Sequence, residues 1–282
     1  MTASRDAGAA MSATIATRAH AIIENSRRAI TLLLGAPAAS SARLAPAWRR
    51  YGVAGAIACV AVVLAMIFVD QPAYQFALGL PVWLVDVFYE ITDFGRSGWI
   101  LVPTGALIVI IALLASPAFD HMTRGVLAML VLRIGFVFIA VGLPGLIAAV
   151  VKRWIGRVRP SALGPFAYEP FSWRPQYASL PSGHTLTAFA ALVAIGALFP
   201  RARPFLWLYA LLIASSRIVV SAHYTSDVIA GAAIGAFGAL WVRDWFARRR
   251  MGFVVGADGE VHALPGPSLR RVIKVARALI AP

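Results

Sequence analysis

Residues 52–69 read GVAGAIACVAVVLAMIFV, a run without a single charged side chain. A helix needs roughly 20 mostly apolar residues to cross about 30 Å of hydrocarbon, so this run predicts a transmembrane helix. Further stretches along the chain have the same character, and together they predict six spans: 52–69, 98–116, 125–150, 184–199, 205–222 and 227–246. The predicted fold is all-α, a polytopic bundle of six membrane helices.

The composition of the 282-residue chain supports an integral membrane protein. Hydrophobic residues make up 60% of it and charged residues 13%, against about 25% charged in soluble domains. A net charge of +14 could indicate nucleic-acid binding, but in so apolar a chain basic residues are expected to flank spans and set their orientation. No nucleic-acid partner is therefore predicted. Cys59 is the only cysteine, which excludes an intrachain disulfide and a cysteine metal cluster.

The distribution of basic residues predicts the orientation. With six spans both termini share a side, and that side holds 18 of the 26 Lys and Arg residues against six on the other. This bias places both termini in the cytoplasm, and the predicted location is the cell (inner) membrane. The first external loop, with Asp70 among its acidic residues, agrees with this orientation. Five of the six external basic residues lie in 151–183, against the trend, which indicates a local need for positive charge.

Three regions follow from the spans: a cytoplasmic N-terminal segment 1–50, a membrane domain 51–246, and a cytoplasmic C-terminal tail 247–282. The first is rich in Arg, Ala and Ser, so an organelle transit peptide is an alternative interpretation. In the tail, FVVGADGEVH at 253–262 predicts a hairpin around Asp258-Gly259. SLRRVIKVARALI at 268–280 is typical of a basic amphipathic helix on an anionic membrane surface, or of a solubilising tail.

The first of three chemically suggestive clusters is KRWIGRVRP at 152–160. Lys152 and Arg159 are seven residues apart, nearly two helical turns, so both could project from one helix face. Pro160 disfavours helix at the residue before it. The chain contains 24 Arg but two Lys, which makes a lysine here unusual. An ordinary basic run beside a membrane span is the alternative.

The second cluster is PSGH at 181–184, at the predicted start of the fourth span. Such a sequence favours a helix N-terminus, where free N–H groups and the helix dipole bind anions. Ser182 and Gly183 would lie at that terminus and His184 in the first turn. A simple helix cap is the alternative.

The third cluster is SRIVVSAHYTSD at 216–227. Arg217 lies in an apolar run, where an unpaired guanidinium is costly and therefore suggests function. His223 and Asp227 are four apart, a spacing that allows contact across one helical turn. A carboxylate that holds one imidazole nitrogen leaves the other free to act as base or nucleophile. An ordinary structural hydrogen bond is the alternative.

Together the clusters supply three fixed cations, two histidines and one carboxylate, all at external ends of predicted spans. This set suits phosphoryl transfer, in which catalysis is mainly charge stabilisation and placement of the nucleophile. Two histidines and one aspartate could ligate a metal, but three adjacent cations would repel it. Neither a metal nor another cofactor is therefore predicted.

The three clusters resemble the signature of the type 2 phosphatidic acid phosphatase (PAP2) superfamily, K-x6-R-P, P-S-G-H and S-R-x5-H-x3-D. All three elements match, in the family's order, and the resemblance covers about residues 50–246. It implies a six-span PAP2-like core and a bacterial membrane lipid phosphatase that needs no metal.

The resemblance also implies a role for each matching residue. His223 would attack phosphorus to form a phosphohistidine, Asp227 would orient it, and His184 would protonate the leaving oxygen. The phosphate would be bound by Lys152, Arg159, Arg217, Ser182 and the backbone amide of Gly183. From the residues alone, which histidine is the nucleophile stays open.

Several functions remain open at this stage. Undecaprenyl pyrophosphate, phosphatidylglycerophosphate, phosphatidate and the phosphates of lipid A are all possible substrates among the membrane lipids. A lipid phosphotransferase of the same superfamily and a non-catalytic lipid-phosphate binder or transporter are alternatives. A vanadate-dependent haloperoxidase shares the anion-site motif, but members of that family are soluble. The oligomeric state is not predicted.

Overall fold

A computed structural model of the chain describes residues 44–115, 119–161 and 166–280, together with isolated positions between 20 and 35. The predicted N-terminal segment 1–50 thus lies largely outside the described residues. The helices and strands in chain order are α1 (Ala47–Leu64), α2 (Asp70–Leu78), α3 (Val82–Asp93), α4 (Gly98–Leu114), α5 (His121–Ile155), α6 (Gly183–Leu198), α7 (Arg203–Val219), α8 (Thr225–Arg248), β1 (Phe253–Val255), β2 (Val261–Ala263) and α9 (Leu269–Ile280).

Within the described ranges, five helical stretches are long and apolar enough to cross a membrane. They are Trp48–Leu78, Val82–Leu114, His121–Ile155, Pro200–Val219 and Thr225–Arg248. The apolar helix α6 has 16 residues and is about 24 Å long, shorter than the others. A helical multi-pass membrane protein is therefore confirmed, and the count of six spans stays a prediction.

Helix α6 lies at the centre of the bundle and packs against α5, α7 and α8. Its buried residues are mostly small, which lets neighbouring backbones approach closely. The closest approach is to α8: a Cβ added to Gly231 would lie 2.5 Å from the Ser182 carbonyl oxygen, and one added to Gly235 would lie 2.2 Å from that of Leu186. The start of α6 and the stretch of α8 from Gly231 to Gly235 are thus in backbone contact.

Because consecutive helices reverse direction, the end of α5, the start of α6, the end of α7 and the start of α8 meet at one end of the bundle. All three sequence clusters lie there. At the other end of α8, the half-buried Arg50 and Tyr51 of α1 bind the buried Asp244 at 2.9 and 2.8 Å. The two ends of the bundle, separated by its apolar middle, therefore carry different sets of polar residues.

The predicted first external loop is wrong. Residues 65–69 form a π-helical turn that joins α1 to α2, and α3 occupies much of the remaining stretch. Asp70 begins α2 and is 1% exposed. Its carboxylate is buried because it binds a distant arginine, Arg157, and nothing in the local pattern of residues shows such a pairing.

The C-terminal region contains both predicted elements. Strands β1 and β2 pair antiparallel, with Phe253 opposite Ala263, which confirms the hairpin. The buried Phe253 ring lies 4.7 Å from that of Phe136 in α5, so the hairpin packs on the bundle rather than hanging free. Helix α9 is also present, and its Val275 packs beside Leu127 of α5.

Candidate active site

The spacing of the first cluster predicts that Lys152 and Arg159 lie on one face of a continuous helix. The structure does not contain such a helix. Helix α5 ends at Ile155, and Gly156 follows in the left-handed region with φ 63°. A Cβ at this position would lie 1.8 Å from the carbonyl oxygen of Glu169, so only glycine fits the turn. Lys152 therefore lies in the last turn of α5, whereas Arg159 lies beyond the end of the helix.

Arg159 is held by a loop instead of a helix. Its N–H donates to the Gln176 carbonyl at 2.8 Å, and its Nε donates to that of Pro175 at 3.1 Å. Burial lowers the pKa of Arg159, and the charge of Asp227 offsets part of the effect. Lys152 and Arg159 still interact electrostatically, so the turn brings together what the helix alone does not.

The second cluster begins α6 as predicted. Ser182 is the N-cap and Gly183 the first helical residue. The Ser182 N–H donates to the backbone oxygen of Asp227 at 3.0 Å, and its hydroxyl hydrogen-bonds that of Thr185 at 3.1 Å. A Cβ on Gly183 would lie 3.5 Å from Lys152 Nζ. The ammonium group thus lies beside the start of α6.

The half-buried His184 lies under the turn between α3 and α4. A Cβ on Gly95 would lie 3.0 Å from both Cβ and Cδ2 of His184. The same part of α3 binds Arg217 near the end of α7: Arg217 Nη1 donates to the Thr92 hydroxyl, which also accepts from Ser216 at 3.0 Å. The buried Nε of Arg217 has no hydrogen-bond partner within the described part of the chain.

The third cluster makes its His–Asp contact in a different way from the predicted helical turn. His223 lies outside α8, which begins at Thr225 with Tyr224 as its N-cap. Asp227 occupies the third helical position, where Oδ2 accepts the Tyr224 N–H at 3.0 Å. His223 Nδ1 lies 3.6 Å from the same Oδ2. A capping box, rather than the face of a helix, therefore brings the two side chains together.

A serine outside the three motifs completes this pair. The fully buried Ser179 donates its hydroxyl to Asp227 Oδ2 at 2.5 Å and lies 3.5 Å from His223 Nδ1. Burial lowers the pKa of His223 to about 4, against a smaller opposing effect of Asp227. The imidazole is therefore neutral near pH 7, the form in which a ring nitrogen can act as nucleophile or base.

The predicted site residues form one electrostatic cluster. The charges of Arg217 and Lys152 both interact electrostatically with His184. Those of Arg217 and Arg159 interact in the same way with His223. Within the described ranges no group of three or more His, Cys, Asp or Glu side chains is placed to hold a metal ion. The arrangement brings several positive charges close to the buried imidazole of His223.

Several residues that form hydrogen bonds or ion pairs with this cluster were not predicted from the sequence. Arg157 is 0% exposed and binds Asp70 and Asp227, each at 2.7 Å. In the sequence it is one of several arginines in a basic run, without a distinguishing signal. Thr92 and Ser179 are single hydroxyl residues, and no pattern in the sequence around them indicates a role.

Comparison with known proteins places the chain in a family. A PAP2 superfamily model matches residues 132–251, which contain all three clusters. A lipid A 1-phosphatase from Rhizobium johnstonii is 35% identical over 225 residues, 75% of this chain and 91% of that protein. The phosphatidylglycerophosphatase B of Bacillus subtilis is 30% identical over 164 residues, 54% of this chain and 70% of that protein.

One solved structure is also similar to the chain. The crystal structure of a transmembrane PAP2-type phosphatidylglycerolphosphate phosphatase from Bacillus subtilis aligns with a TM-score of 0.46 and 23% identity, over 67% of this chain and 94% of that one. The match to the Rhizobium relative over most of its length and the family-model match to the region with the three clusters both indicate the same family. The chain belongs to the PAP2 superfamily, and it is a phosphatase of that superfamily.

Proposed function

We propose that this protein releases phosphate from a membrane lipid through a phosphohistidine on His223, without a metal ion. The observation that carries the proposal is the neutral, buried imidazole of His223 beside Asp227, within electrostatic reach of Arg159 and Arg217. An imidazole in that form has a free lone pair, and fixed cations stabilise the charge that develops on a transferring phosphoryl group.

The proposed reaction has two steps. The His223 nitrogen that faces away from Asp227 attacks phosphorus, the bond from phosphorus to the lipid oxygen breaks, and His184 gives that oxygen a proton. Water then attacks the phosphohistidine and gives its proton to His184, the phosphorus–nitrogen bond breaks, and inorganic phosphate is released while both histidines return to their starting forms. Asp227 holds Nδ1 throughout and stabilises the positive charge that the ring carries while it is phosphorylated.

Phosphate binding is assigned to Lys152, Arg159, Arg217 and the N–H of Gly183 at the start of α6. Arg217 is oriented for this by Thr92, while its Nε remains without a partner in the described part of the chain. Ser182 fits the role less well. Its hydroxyl is already hydrogen-bonded to Thr185, so it would have to exchange that bond for a phosphate oxygen.

The relatives narrow the substrates to test first. The Rhizobium relative, a lipid A 1-phosphatase, matches over 91% of its own length, which favours lipid A 1-phosphate. Phosphatidylglycerophosphate is the second candidate, since the Bacillus relative is named for it. Undecaprenyl pyrophosphate and phosphatidate complete the set of lipids for comparison.

The test uses the purified full-length protein in detergent micelles with each of these four lipids. We expect phosphate release from at least one lipid, none from the His223→Ala variant, and a phosphohistidine that maps to His223 after an acid-free quench. Phosphate found on an acceptor lipid instead of in solution would favour the phosphotransferase alternative. Binding without turnover of any lipid would show a lipid-phosphate binder.

The same proposal includes the orientation of the site. With six spans, α6 being the short central one, both termini share a side of the membrane; we assign that side to the cytoplasm and the site to the external face of the inner membrane. The basic residue count supports this arrangement. A lipid headgroup at that face would lie level with the ends of the helices that carry the three motifs.

A further inference from the structure

Behind the proposed nucleophile lies a buried charge network that the reaction scheme does not use. Arg157 joins two carboxylates that are distant in sequence: Nη2 donates to Asp70 Oδ2 and Nη1 donates to Asp227 Oδ1, both at 2.7 Å. Nη1 also donates to the Ser226 hydroxyl at 2.6 Å. The side chains of Arg157, Asp70 and Asp227 are all 0% exposed.

Ser226 closes the network on the side of Asp70. Its N–H donates to Asp70 Oδ1 at 2.8 Å, and its hydroxyl donates to Asp70 Oδ2 at 2.6 Å. Both oxygens of Asp70 are therefore bound, at the first residue of α2 and directly after the π-helical turn. Such turns are frequent at functional sites.

The network divides the two oxygens of Asp227 between two tasks. Oδ1 accepts from Arg157, whereas Oδ2 accepts from Ser179 and from the Tyr224 N–H and faces His223. A carboxylate bound on both oxygens cannot rotate freely. The direction in which Oδ2 points, and with it the orientation of the His223 ring, therefore depends on the partner of Oδ1.

Stability alone is a weak reason for such a network. Buried ion pairs are often no more stabilising than apolar residues of similar volume, because desolvation offsets the attraction. Burial lowers the pKa of Arg157, but Asp227 and Asp70 more than compensate, so the pKa is raised overall. The guanidinium stays charged, and its two Nη atoms already bind carboxylates, which separates it from the proposed phosphate-binding cations.

We propose that Arg157, held in place by Asp70 and Ser226, is a positioning residue that fixes Asp227 and thereby aims the His223 nucleophile. This inference rests on the proposed function. It assigns a task to an arginine within the variable part of the K-x6-R-P motif, and it connects the start of α2 to the reacting imidazole.

The test is a double-mutant cycle on turnover. Groups that orient the ligands of a metal ion contribute about 10–100-fold to activity; by analogy, Arg157→Gln should lower kcat by about that factor with little change in KM. In an Asp227→Asn background the same substitution should change kcat by no more than roughly twofold, because its effect passes through Asp227. Equal losses of kcat in both backgrounds would overturn the inference.

Two milder variants keep the test decisive if Arg157→Gln does not fold. Asp70→Asn removes one anchor of the guanidinium and preserves its charge, and Arg157→Lys preserves the charge but cannot bind both carboxylates in the same geometry. Each should lower kcat by less than Arg157→Gln, and each loss should again vanish with Asp227→Asn. A folded Asp70→Asn variant and a folded Arg157→Lys variant with unchanged kcat would contradict the proposal.

The matched control is Arg50→Gln at the opposite end of the bundle. It also breaks an arginine–aspartate pair, Arg50–Asp244 at 2.9 Å with both side chains largely buried, but far from His223. It should lower the unfolding temperature without lowering kcat of the folded protein. Loss of kcat in this control equal to that in Arg157→Gln would mean that general destabilisation explains both. A wild-type protein that releases no phosphate from any lipid would instead remove the proposed function, and this inference with it.

Discussion

The contact between α6 and α8 makes the sharpest test of how the fold builds the site. A Cβ on Gly231 would lie 2.5 Å from the carbonyl oxygen of Ser182, whereas ordinary contacts begin near 3.4 Å. Gly231→Ala must therefore push the two backbones apart by about 0.9 Å locally. The new Cβ of α8 would meet a backbone oxygen at the start of α6, so no flexible side chain can absorb the shift.

The displaced segments are the ones that carry the reacting groups. Ser182 donates its N–H to the Asp227 backbone oxygen at 3.0 Å, and a shift of about 0.9 Å would break that bond. His184 would then move relative to His223. A misplacement of about 1 Å can lower turnover about 100-fold, and overpacking typically costs about 1–3 kcal/mol of stability. We expect Gly231→Ala to fold with a lower unfolding temperature and to lose about 100-fold in kcat.

The control lies on the same helix. Gly238→Ala places a Cβ 2.5 Å from the Pro144 side chain, about 10 Å further along α8, against α5 instead of α6. It should lower the unfolding temperature while the folded fraction keeps its kcat. Both variants would be compared by phosphate release per folded molecule in micelles. A folded Gly231→Ala protein with wild-type kcat would refute the idea that this backbone contact sets the site.

Other predictions concern the histidines, metals and orientation. His184→Ala should lose about 10²–10⁴-fold on a lipid monophosphate but markedly less on p-nitrophenyl phosphate, whose leaving group needs little protonation; equal losses would argue against an acid role. Because burial lowers the pKa of His223 from 6.5 to about 4, the unfolded chain binds a proton more readily between these values. That residue should add stability above pH 6.5 and lose about 3 kcal/mol as pH falls towards 4, so wild-type unfolding temperature should fall more steeply from pH 7 to 4.5 than that of His223→Gln. Activity should survive EDTA and be inhibited by vanadate; loss on chelation, restored by Mg²⁺, would contradict the metal-independent scheme. Cysteines at Ser161 and Ser268 should be labelled by an impermeant reagent in intact cells only at Ser161, and the reverse pattern would invert the orientation.

Features that depend on short stretches of sequence were predictable. The start of α6 at PSGH, the hairpin around Asp258-Gly259 and the amphipathic α9 all follow from local residue patterns, and the structure contains each. The convergence of three clusters at one end of the bundle follows from the alternation of apolar spans. Long apolar helices reverse direction at each loop, so clusters at matching ends must meet.

Two predictions of helical geometry were wrong in detail, because in each case a helix ends or begins between the two residues. Lys152 and Arg159 were expected on one face, but Gly156 ends α5 between them. His223 and Asp227 were expected on one helical turn, but α8 begins after His223. In both cases the residues still meet, because a glycine turn and a capping box replace the continuous helix. Spacing indicated proximity correctly while misidentifying the backbone that produces it.

The buried partners were beyond local patterns altogether. Asp70 and Arg157 are 87 residues apart, and each has an ordinary explanation in its own surroundings, as a loop acid and as a membrane-flanking base. The pairing becomes visible only when the first span and the loop after α5 are packed together. Long-range ion pairs of this kind are set by tertiary packing, so a single sequence does not reveal them.

The same pairing changes the charge balance of the site. The excess of basic residues in 151–183 indicated that something at this end needs positive charge, but Arg157 is committed to two carboxylates. Lys152, Arg157, Arg159 and Arg217 carry four formal positive charges, Asp70 and Asp227 carry two negative ones, and a neutral His223 adds none, which leaves +2 apart from the proton that His184 gives to the leaving oxygen. A phosphate monoester carries close to −2 at neutral pH, since its second pKa is near 6. The assembled site is thus complementary in charge to a dianionic phosphate, and removing Asp70 or Asp227 would shift it towards tighter retention of the phosphate product as well as poorer aim of the nucleophile.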